Sequence, residues 1–261
     1  MIRLSGVSRT FEGRSGRVEA LRGIDLDVAE GEFVAVLGRS GCGKSTLLRL
    51  IAGLLPLSAG EITVAGTPIT RPRQDIAMLF QKPALLPWRT VLDNVMLPVE
   101  IFGWSRTKHR ERARQLLDVA GLAGFEKRLP HELSGGMQQR VSLCRSLIGE
   151  PRVMLMDEPF SALDALTREE LSGELQRVHM ENKPTIVFVT HSIDEAVLLA
   201  DRVVVLSPRP GRIRKVVDVA IPRPRTLGRN AHLADVAQVS ADLHELLMER
   251  DQPATAGAEG H

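Results

Sequence analysis

The sequence predicts an α/β protein with a mainly parallel β-sheet, and two observations lead to that prediction. Four short apolar runs, each flanked by polar or turn residues, have the pattern of fully buried strands, namely Glu32–Leu37, Val153–Met156, Thr185–Val189 and Val203–Leu206. Helical patterns occur between such runs, and strands alternating with helices are typical of parallel sheets. We expect these four strands to form the centre of the sheet.

Apolar residues at helical spacing predict an α-helical subdomain inserted at about residues 85–150. They recur in two segments, Ala113, Leu116, Leu117 and Ala120, and then Val141, Cys144, Leu147 and Ile148. Two further strand patterns, Ile24–Val28 and Glu61–Val64, precede the insertion. With turn residues at Ala65-Gly66, they predict an antiparallel β flank around the first strand of the sheet.

The chain changes character after Ile221, where PRPR is an extended, helix-poor stretch. Ala234–Met248 then has the pattern of one more amphipathic helix. We therefore predict a main domain at 1–224, a helical extension at 225–249 and a disordered tail at 250–261. The sequence has no evident internal repeat, so we expect one such main domain.

The composition argues against several classes of protein. Of the 261 residues, 43% are hydrophobic and 25% are charged, close to the average for a globular protein. The net charge of +2 is too small to indicate a nucleic-acid partner. The two cysteines, Cys42 and Cys144, fit a reducing compartment better than a disulfide scaffold. The chain starts without an apolar signal-peptide core, and its apolar runs fall short of the ~18 residues of a membrane span, so we expect no membrane-crossing segment.

A glycine-rich segment directly after the EFVAVL strand matches the pattern G-x-x-x-x-G-K-[ST] and precedes a helical pattern. Its residues are the candidate ATP-binding residues Gly38, Arg39, Ser40, Gly41, Cys42, Gly43, Lys44, Ser45 and Thr46. The glycines let the backbone turn its N–H groups towards phosphate oxygens, and the following helix adds positive charge from its N-terminus. A chance glycine-rich turn of this pattern would occur in roughly one chain in a hundred. The strand and helix on either side make that alternative weaker.

This loop predicts a P-loop NTPase core with Mg²⁺ as cofactor. Lys44 would neutralise the β and γ phosphates, and the Ser45 hydroxyl would bind Mg²⁺. The loop alone also fits nucleotide kinases and GTPases. GTP is disfavoured because the nearest match to N-K-x-D, which begins at Asn182, has Thr185 in place of the aspartate that would read guanine.

Two adjacent acids end the Val153–Met156 strand and predict a second part of the site. Asp157 is the candidate Mg²⁺ ligand. Glu158 is the candidate general base, because a carboxylate outside the metal's own ligand shell is the better proton acceptor. Without the other motifs, a strand ending in Asp-Glu would more often be a solvated turn.

The segment LSGGMQQR, which begins at Leu133 and opens a helical pattern, identifies the family that the sequence resembles. With the glycine loop, it resembles the nucleotide-binding subunits of ABC transporters, whose signature LSGGQ is varied here by Met137 before Gln138. The resemblance covers nearly the whole chain before about Pro224, so that 1–224 would be the ABC ATPase domain. A helix cap is the plain alternative for Ser134, whereas a helix N-terminus with two glycines could also bind an anion.

The resemblance implies a homodimer in which one subunit closes over the ATP held by the other. The residues that would contact ATP from the facing subunit are Ser134, Gly135, Gly136, Gln138 and Asp164. Gln81 would contact Mg²⁺ and the attacking water, and His191 would contact the γ phosphate. Phe11 would stack on adenine, with core packing as its alternative.

The resemblance further implies integral-membrane permease partners at the cytoplasmic face of a bacterial membrane, with a periplasmic solute-binding protein acting indirectly. Apolar residues around Trp88 could receive a short permease helix, although Leu85 and Leu86 could instead belong to the core. The stretch LLPW and the later PRPR are similar to the nitrate, sulfonate and taurine group of importers. Three alternatives remain. The chain could serve an importer of thiamine precursors, it could be a soluble ABC ATPase without a transport role, or it could be a small-molecule kinase.

Overall fold

Strands and helices alternate along most of the chain in the computed structural model, which describes residues 1–13, 16–161, 163–225 and 232–248. The described strands are β1 Ile2–Gly13, β2 Gly16–Val28, β3 Phe33–Leu37, β4 Ala59–Val64, β5 Thr67–Pro68, β6 Ile76–Leu79, β7 Val153–Asp157, β8 Thr185–Thr190, β9 Arg202–Leu206 and β10 Ile213–Asp218. The described helices are α1 Lys44–Ile51, α2 Val91–Val95, α3 Leu97–Ile101, α4 Arg106–Val119, α5 Gly135–Leu147, α6 Ala165–Asn182, α7 Ile193–Leu199 and α8 Leu233–Met248, with a 3₁₀ turn at Pro130–Glu132.

The larger sheet has six strands in the order β10-β9-β3-β8-β7-β6. Its pairs are parallel except for β9 and β10, which are antiparallel. The four strands predicted from apolar runs are its four central strands, so that prediction is confirmed. Because parallel strands end on the same edge, the loops after β3, β6, β7, β8 and β9 all lie at one edge of this sheet.

The second sheet is antiparallel, with the order β2-β1-β4-β5. The predicted strands Ile24–Val28 and Glu61–Val64 lie within β2 and β4, and the predicted antiparallel flank is confirmed. Strand β1 was not predicted from the sequence. This strand pairs with both β2 and β4, and much of its second half is exposed or half-buried, which gives it no continuous apolar run.

Alternate side chains of β3 face two different cores, as the two-residue repeat of a strand requires. Phe33 and Leu37 pack with α6, α7 and Leu243 of α8 on one face. Val34 and Val36 pack with α1 and the antiparallel sheet on the other face. The larger sheet is therefore buried on both sides, which fixes the position of its carboxyl edge.

Helices α2 to α5 occupy the stretch predicted as an inserted helical subdomain and share a core of their own. Val95, Leu117 and Val141 are central to that core, and Leu85 packs against it. In the LLPW stretch, Trp88 is 73% exposed and Pro87 is also exposed, whereas Leu85 and Leu86 are half-buried.

Helix α8 begins one residue before the predicted helix at Ala234 and ends at Met248 as predicted. Its Leu243 is fully buried against the first core. The predicted tail at 250–261 lies outside the described residues, and the division at 224 stays a prediction. Across the described ranges, the helices are either too short or too polar to cross a membrane.

Candidate functional site

The glycine loop joins β3 to α1 at the carboxyl edge of the larger sheet. Gly43, the residue before α1, has a left-handed backbone with φ 103°. A Cβ there would lie 2.7 Å from Cδ2 of Leu21 and 2.9 Å from the carbonyl oxygen of Ala20. Glycine is therefore required both by the backbone angle and by the closeness of β2.

The start of α1 has the properties of an anion site. Within the described chain, α1 has neither a side-chain cap nor an acidic residue in its first turn, so its first N–H groups are left for another acceptor. Lys44 Nζ donates to the carbonyl oxygens of Gly38 at 2.7 Å and Arg39 at 3.3 Å. These bonds hold the ammonium group inside the loop, where it would face bound phosphates.

Ser45 and Asp157 meet beside the loop. The Ser45 hydroxyl donates to Asp157 Oδ1 at 2.8 Å. Burial raises the pKa of Asp157, and the bond from Ser45 opposes that shift. A hydroxyl and a carboxylate oxygen are ligands that suit Mg²⁺, so the pair fits the predicted metal role. Among the described residues, there is no group of three or more His, Cys, Asp or Glu side chains that could hold a metal ion.

Glu158 is held in an unusual backbone conformation directly after β7. Its φ of 45° is left-handed, which is strained for a residue other than glycine. Its N–H donates to the carbonyl oxygen of Val189 at 2.9 Å, and its own carbonyl oxygen accepts from the N–H and the hydroxyl of Ser161. The side chain lies between two cationic or polar groups, with Oε1 3.7 Å from Lys44 Nζ and Oε2 3.2 Å from His191 Nδ1.

His191 is positioned by a short network at the end of β8. The hydroxyl of Thr190 accepts from the N–H of Ser192 at 3.0 Å and donates to the buried carboxylate of Glu195. Burial raises the pKa of Glu195. Arg168 of α6 is near the same carboxylate, with Nε 3.7 Å from Oε1. Glu195 lies outside the predicted motifs, yet through Thr190 it stabilises the turn that carries His191.

A cleft of about 360 Å³ contains much of the predicted site. It is lined by Phe11, Val18, Ala20, Ser40, Gly41, Gly43, Lys44, Ser45, Thr46, Gln81, Glu158 and Arg209. Gln81, which follows β6, donates from Nε2 to the Ser161 hydroxyl at 3.3 Å. Phe11 belongs to none of the hydrophobic cores formed by the described residues, and the guanidinium of Arg9 lies 4.6 Å from its ring centroid. Phe11 therefore lines the cleft rather than a core, and its stacking role stays a prediction.

Two residues of the glycine loop direct their side chains away from the cleft. Cys42 is buried, and a Cβ at Gly38 would lie 2.8 Å from its sulfur. Arg39 donates to the carbonyl oxygen of Leu247 at the end of α8, at 3.0 Å. These two residues can therefore contact a phosphate through their backbones rather than their side chains.

The residues predicted to act from a facing subunit form a separate surface. Ser134 caps α5 by accepting from the N–H of Met137 at 3.2 Å, and Asp164 caps α6 by accepting from the N–H of Thr167 at 2.9 Å. The two caps are adjacent, because a Cβ at Gly136 would lie 3.1 Å from Cγ2 of Thr167.

Ser134, Gly135 and Asp164 are exposed, and none of the five predicted facing residues lines the described cleft. Gln138 differs from the others, since its Nε2 donates within the chain to the carbonyl oxygen of Pro130 at 3.0 Å.

Three residues of the cleft were missed by the sequence analysis: Val18, Ala20 and Arg209. Val18 is the strand partner of Phe11 on β2. Arg209 lies in the turn after β9, and β9 runs parallel to β3. The one available signal was that a turn after a central parallel strand lies at the carboxyl edge, beside the glycine loop.

The strand β3 leads through a glycine loop with a lysine into helix α1, and the buried carboxylate of Asp157 ends β7, two strands away in the same sheet. This combination defines a P-loop NTPase. Residues 21–161 match the profile of a family described as ABC transporter. The chain is 44% identical over 242 residues to the taurine import ATP-binding protein TauB of Rhizobium johnstonii, covering 92% of this chain and 90% of that protein.

It is also 42% identical over 226 residues to the aliphatic sulfonates import ATP-binding protein SsuB of Bacillus cereus, covering 86% of this chain and 88% of that protein. Among solved structures, it is similar to a dimeric ATP-binding cassette in a post-hydrolysis state bound to ADP and Pi, with a TM-score of 0.76, 33% identity, and coverage of 85% of this chain and 100% of that chain. The chain belongs to the ABC transporter family. The family resemblance and the P-loop fold predicted from the sequence are therefore confirmed.

Proposed function

We propose that this chain is the ATP-binding and ATP-hydrolysing motor subunit of an ABC importer that takes up a small anionic solute of the nitrate, sulfonate or taurine type. The observation that carries the proposal is the convergence of Lys44, Ser45, Asp157, Glu158 and His191 at one edge of the sheet. Similarity to taurine and aliphatic sulfonates import proteins supports the solute class.

In this proposal the glycine loop, Lys44 and the start of α1 bind the phosphates of ATP. Ser45 and Asp157 would hold Mg²⁺, with Gln81 contacting it through water. When bound, the ion neutralises charge on the β and γ phosphates. Phe11 forms the wall of the cleft against which adenine would stack.

Glu158 acts as the general base that takes a proton from the attacking water. Its backbone is fixed by Val189 and Ser161, so its carboxylate is held between Lys44 and His191 rather than free in solvent. His191 would contact the γ phosphate and, through its contact with Oε2, orient Glu158. A fixed base of this kind contributes on the order of 10² to 10⁴ in rate.

The complete site needs a second copy of the chain. The exposed surface formed by Ser134 to Gly136 and Asp164 lies outside the cleft of its own chain. In a head-to-tail dimer, the start of α5 would add a second positive helix end opposite Lys44. The similar ATP-binding cassette bound to ADP and Pi is dimeric, which supports the formation of a dimer.

A groove beside the helical region suits a permease partner. It has a volume of about 550 Å³ and includes Leu54, Met78, Phe80, Ile101 and Phe102 in its lining. Four of these five apolar residues are exposed, the exception being Met78. Apolar grooves of this kind bind the apolar face of a short helix. Phe80 is adjacent to Gln81, so movement of the bound helix would be transmitted directly to the cleft.

Reconstitution tests the proposed function. Vesicles containing this chain, permease subunits of the taurine and sulfonate import type and a matching solute-binding protein should take up taurine, an aliphatic sulfonate or nitrate when ATP and Mg²⁺ are supplied to the side carrying the ATPase. Vesicles with the Glu158→Gln variant should show no ATP-dependent uptake. ATP hydrolysis accompanied by a phosphorylated acceptor would point to a kinase instead, and copurification with ribosomes or DNA without a permease would point to a soluble ATPase.

A further inference from the structure

Arg209 lies at the rim of the cleft, in a turn that no sequence motif marks. It follows β9 and lines the cleft together with Phe11, Gly41 and Lys44. Its Nε donates to the carbonyl oxygen of Gly41 at 3.2 Å. The guanidinium group is therefore held against the glycine loop itself, on the side where the loop is exposed.

The turn that carries Arg209 is fixed to the loop and to β2. The N–H of Gly211 donates to the carbonyl oxygen of Ala20 at 2.9 Å, and the N–H of Arg22 donates to the carbonyl oxygen of Gly211 at 3.0 Å. A Cβ at Gly211 would lie 2.1 Å from the carbonyl oxygen of Cys42. Contact this close leaves room only for glycine and sets the distance between the turn and the loop.

Ser207 braces the turn from within. Its hydroxyl accepts from the N–H of Arg212 at 3.0 Å, and its single hydrogen lies within reach of the carbonyl oxygens of both Pro208 and Pro210. Arg209 is thus presented from a built turn, and its backbone is not free to move away from the cleft.

The terminal nitrogens of Arg209 have no hydrogen-bond or ion-pair partner among the described residues. A guanidinium with its Nε occupied still offers two terminal NH₂ groups in one plane, an arrangement that matches two oxygens of a phosphate. Arg209 is bonded to Gly41, which belongs to the loop whose N–H groups would bind phosphate. In a bound nucleotide, the polyphosphate would therefore be closer to Arg209 than the base would be.

We propose that Arg209 is a further nucleotide-binding residue, which contacts a phosphate oxygen of the nucleotide from the turn after β9. This inference rests on the proposed function, because it assumes that the cleft binds ATP. It would add a second cation beside Lys44, contributed from the turn after β9 rather than from the glycine loop. Since Arg209 is exposed, its contribution should weaken as salt concentration rises.

Calorimetric titration of the full chain with ADP and with AMP, in Mg²⁺ buffer, tests the proposal. Arg209→Ala should raise the Kd for ADP about tenfold at low ionic strength, which is the loss of about 1.4 kcal/mol expected for one charge-assisted contact. The effect on AMP should be smaller. Arg209→Lys should recover only part of the affinity, because an ammonium group cannot keep both the bond to Gly41 and a forked phosphate contact.

Arg212→Ala is the matched control, since it removes the same charge from the same turn but from a residue outside the cleft lining. Its Kd should stay within about twofold of the wild type. Arg209→Ala should also weaken the dependence of Kd on salt, which a mere loosening of the loop through Gly41 would leave unchanged. An unchanged Kd, an equal loss in Arg212→Ala, or an unchanged salt dependence would overturn the proposal. Failure of the wild type to bind ADP would instead contradict the proposed function.

Discussion

Nδ1 of His191 lies 3.2 Å from Oε2 of Glu158, although 33 residues separate them in the sequence. The two residues follow β7 and β8, which are neighbouring parallel strands. Their contact is therefore a direct result of sheet order. It places a carboxylate that lines the cleft next to an imidazole ring.

Glu158→Gln should bind ATP with unchanged affinity and lose at least about a hundredfold in turnover, because the amide cannot accept the proton of the attacking water. Phosphate release measures turnover, and equilibrium binding measures affinity. The melting temperature serves as a control for folding. ATPase activity near that of the wild type would remove Glu158 from the role of general base.

Gly211→Ala should destabilise the protein by about 1 to 3 kcal/mol, since the new Cβ would meet the carbonyl oxygen of Cys42. Gly173→Ala is the matched control. Gly173 lies within α6, and a Cβ there would meet nothing within 4 Å, so this change should stabilise the protein by about 0.5 to 1 kcal/mol. Urea denaturation of both variants measures the difference, and equal effects of the two changes would be inconsistent with the close contact at Gly211.

Arg225→Ala should cost about 3 kcal/mol or more of stability. This arginine is 3% exposed, and its guanidinium donates to the carbonyl oxygens of Val197, Ala200, Ile221 and Val219. Removing it leaves several buried acceptors without partners. Burial also lowers the pKa of Arg225 to about 10.

Arg225→Lys should also destabilise, because an ammonium group cannot span the same four acceptors. The control is Arg177→Ala on the exposed side of α6, where two surface ion pairs should contribute less than about 1 kcal/mol. Comparable losses at the two arginines in denaturant titrations would show that the buried carbonyl bonds are unimportant.

Stability should fall as the pH drops through the range where an ordinary histidine becomes protonated, and His179 should contribute to that fall. Burial lowers the pKa of His179, with nearby Arg223 and Lys183 acting in the same direction and Asp201 and the Gly31 carbonyl opposing it. The folded state therefore resists a proton that the unfolded chain accepts, so the contribution is present above the ordinary pKa and is lost as the pH falls.

His179→Gln should show a smaller difference between urea midpoints measured at about pH 7.5 and about pH 5.5 than the wild type does. The readout is the change in the urea midpoint between the two pH values, because the lost packing of His179 on Phe33 lowers the midpoint equally at both. An undiminished difference would assign the pH dependence to other groups.

The parts of the fold that the sequence predicted are those with one dominant physical signal. β3, β7 and β8 are buried at every position, which produces unbroken apolar runs. β10 was missed because all of its residues are half-buried or exposed. Helix α6 was missed because its buried face includes Ser172, Gln176 and His179, which obscure the apolar repeat.

The site shows the same division. Lys44, Ser45, Asp157 and Glu158 could be predicted as site residues because the proposed chemistry requires particular residue types at fixed spacing beside a strand, and the structure brings them close together. Arg209 was missed because its position depends on which strand lies beside β3, and sheet order is not encoded in a local pattern. Glu195 was missed for a similar reason, since its role lies in contacts with Thr190 and Arg168 rather than in a motif.

We propose that each ATP site is completed by the exposed surface of a second chain, and the decisive measurement is the molecular mass of the Glu158→Gln variant in the presence of ATP. Light scattering should give twice the 28.7 kDa of one chain when ATP and Mg²⁺ are present. The double variant with Ser134→Arg should bind ATP but stay at the mass of one chain, because the new side chain blocks the start of α5. A double variant that still forms an ATP-dependent dimer, or a Glu158→Gln variant that binds ATP as a monomer, would contradict the account.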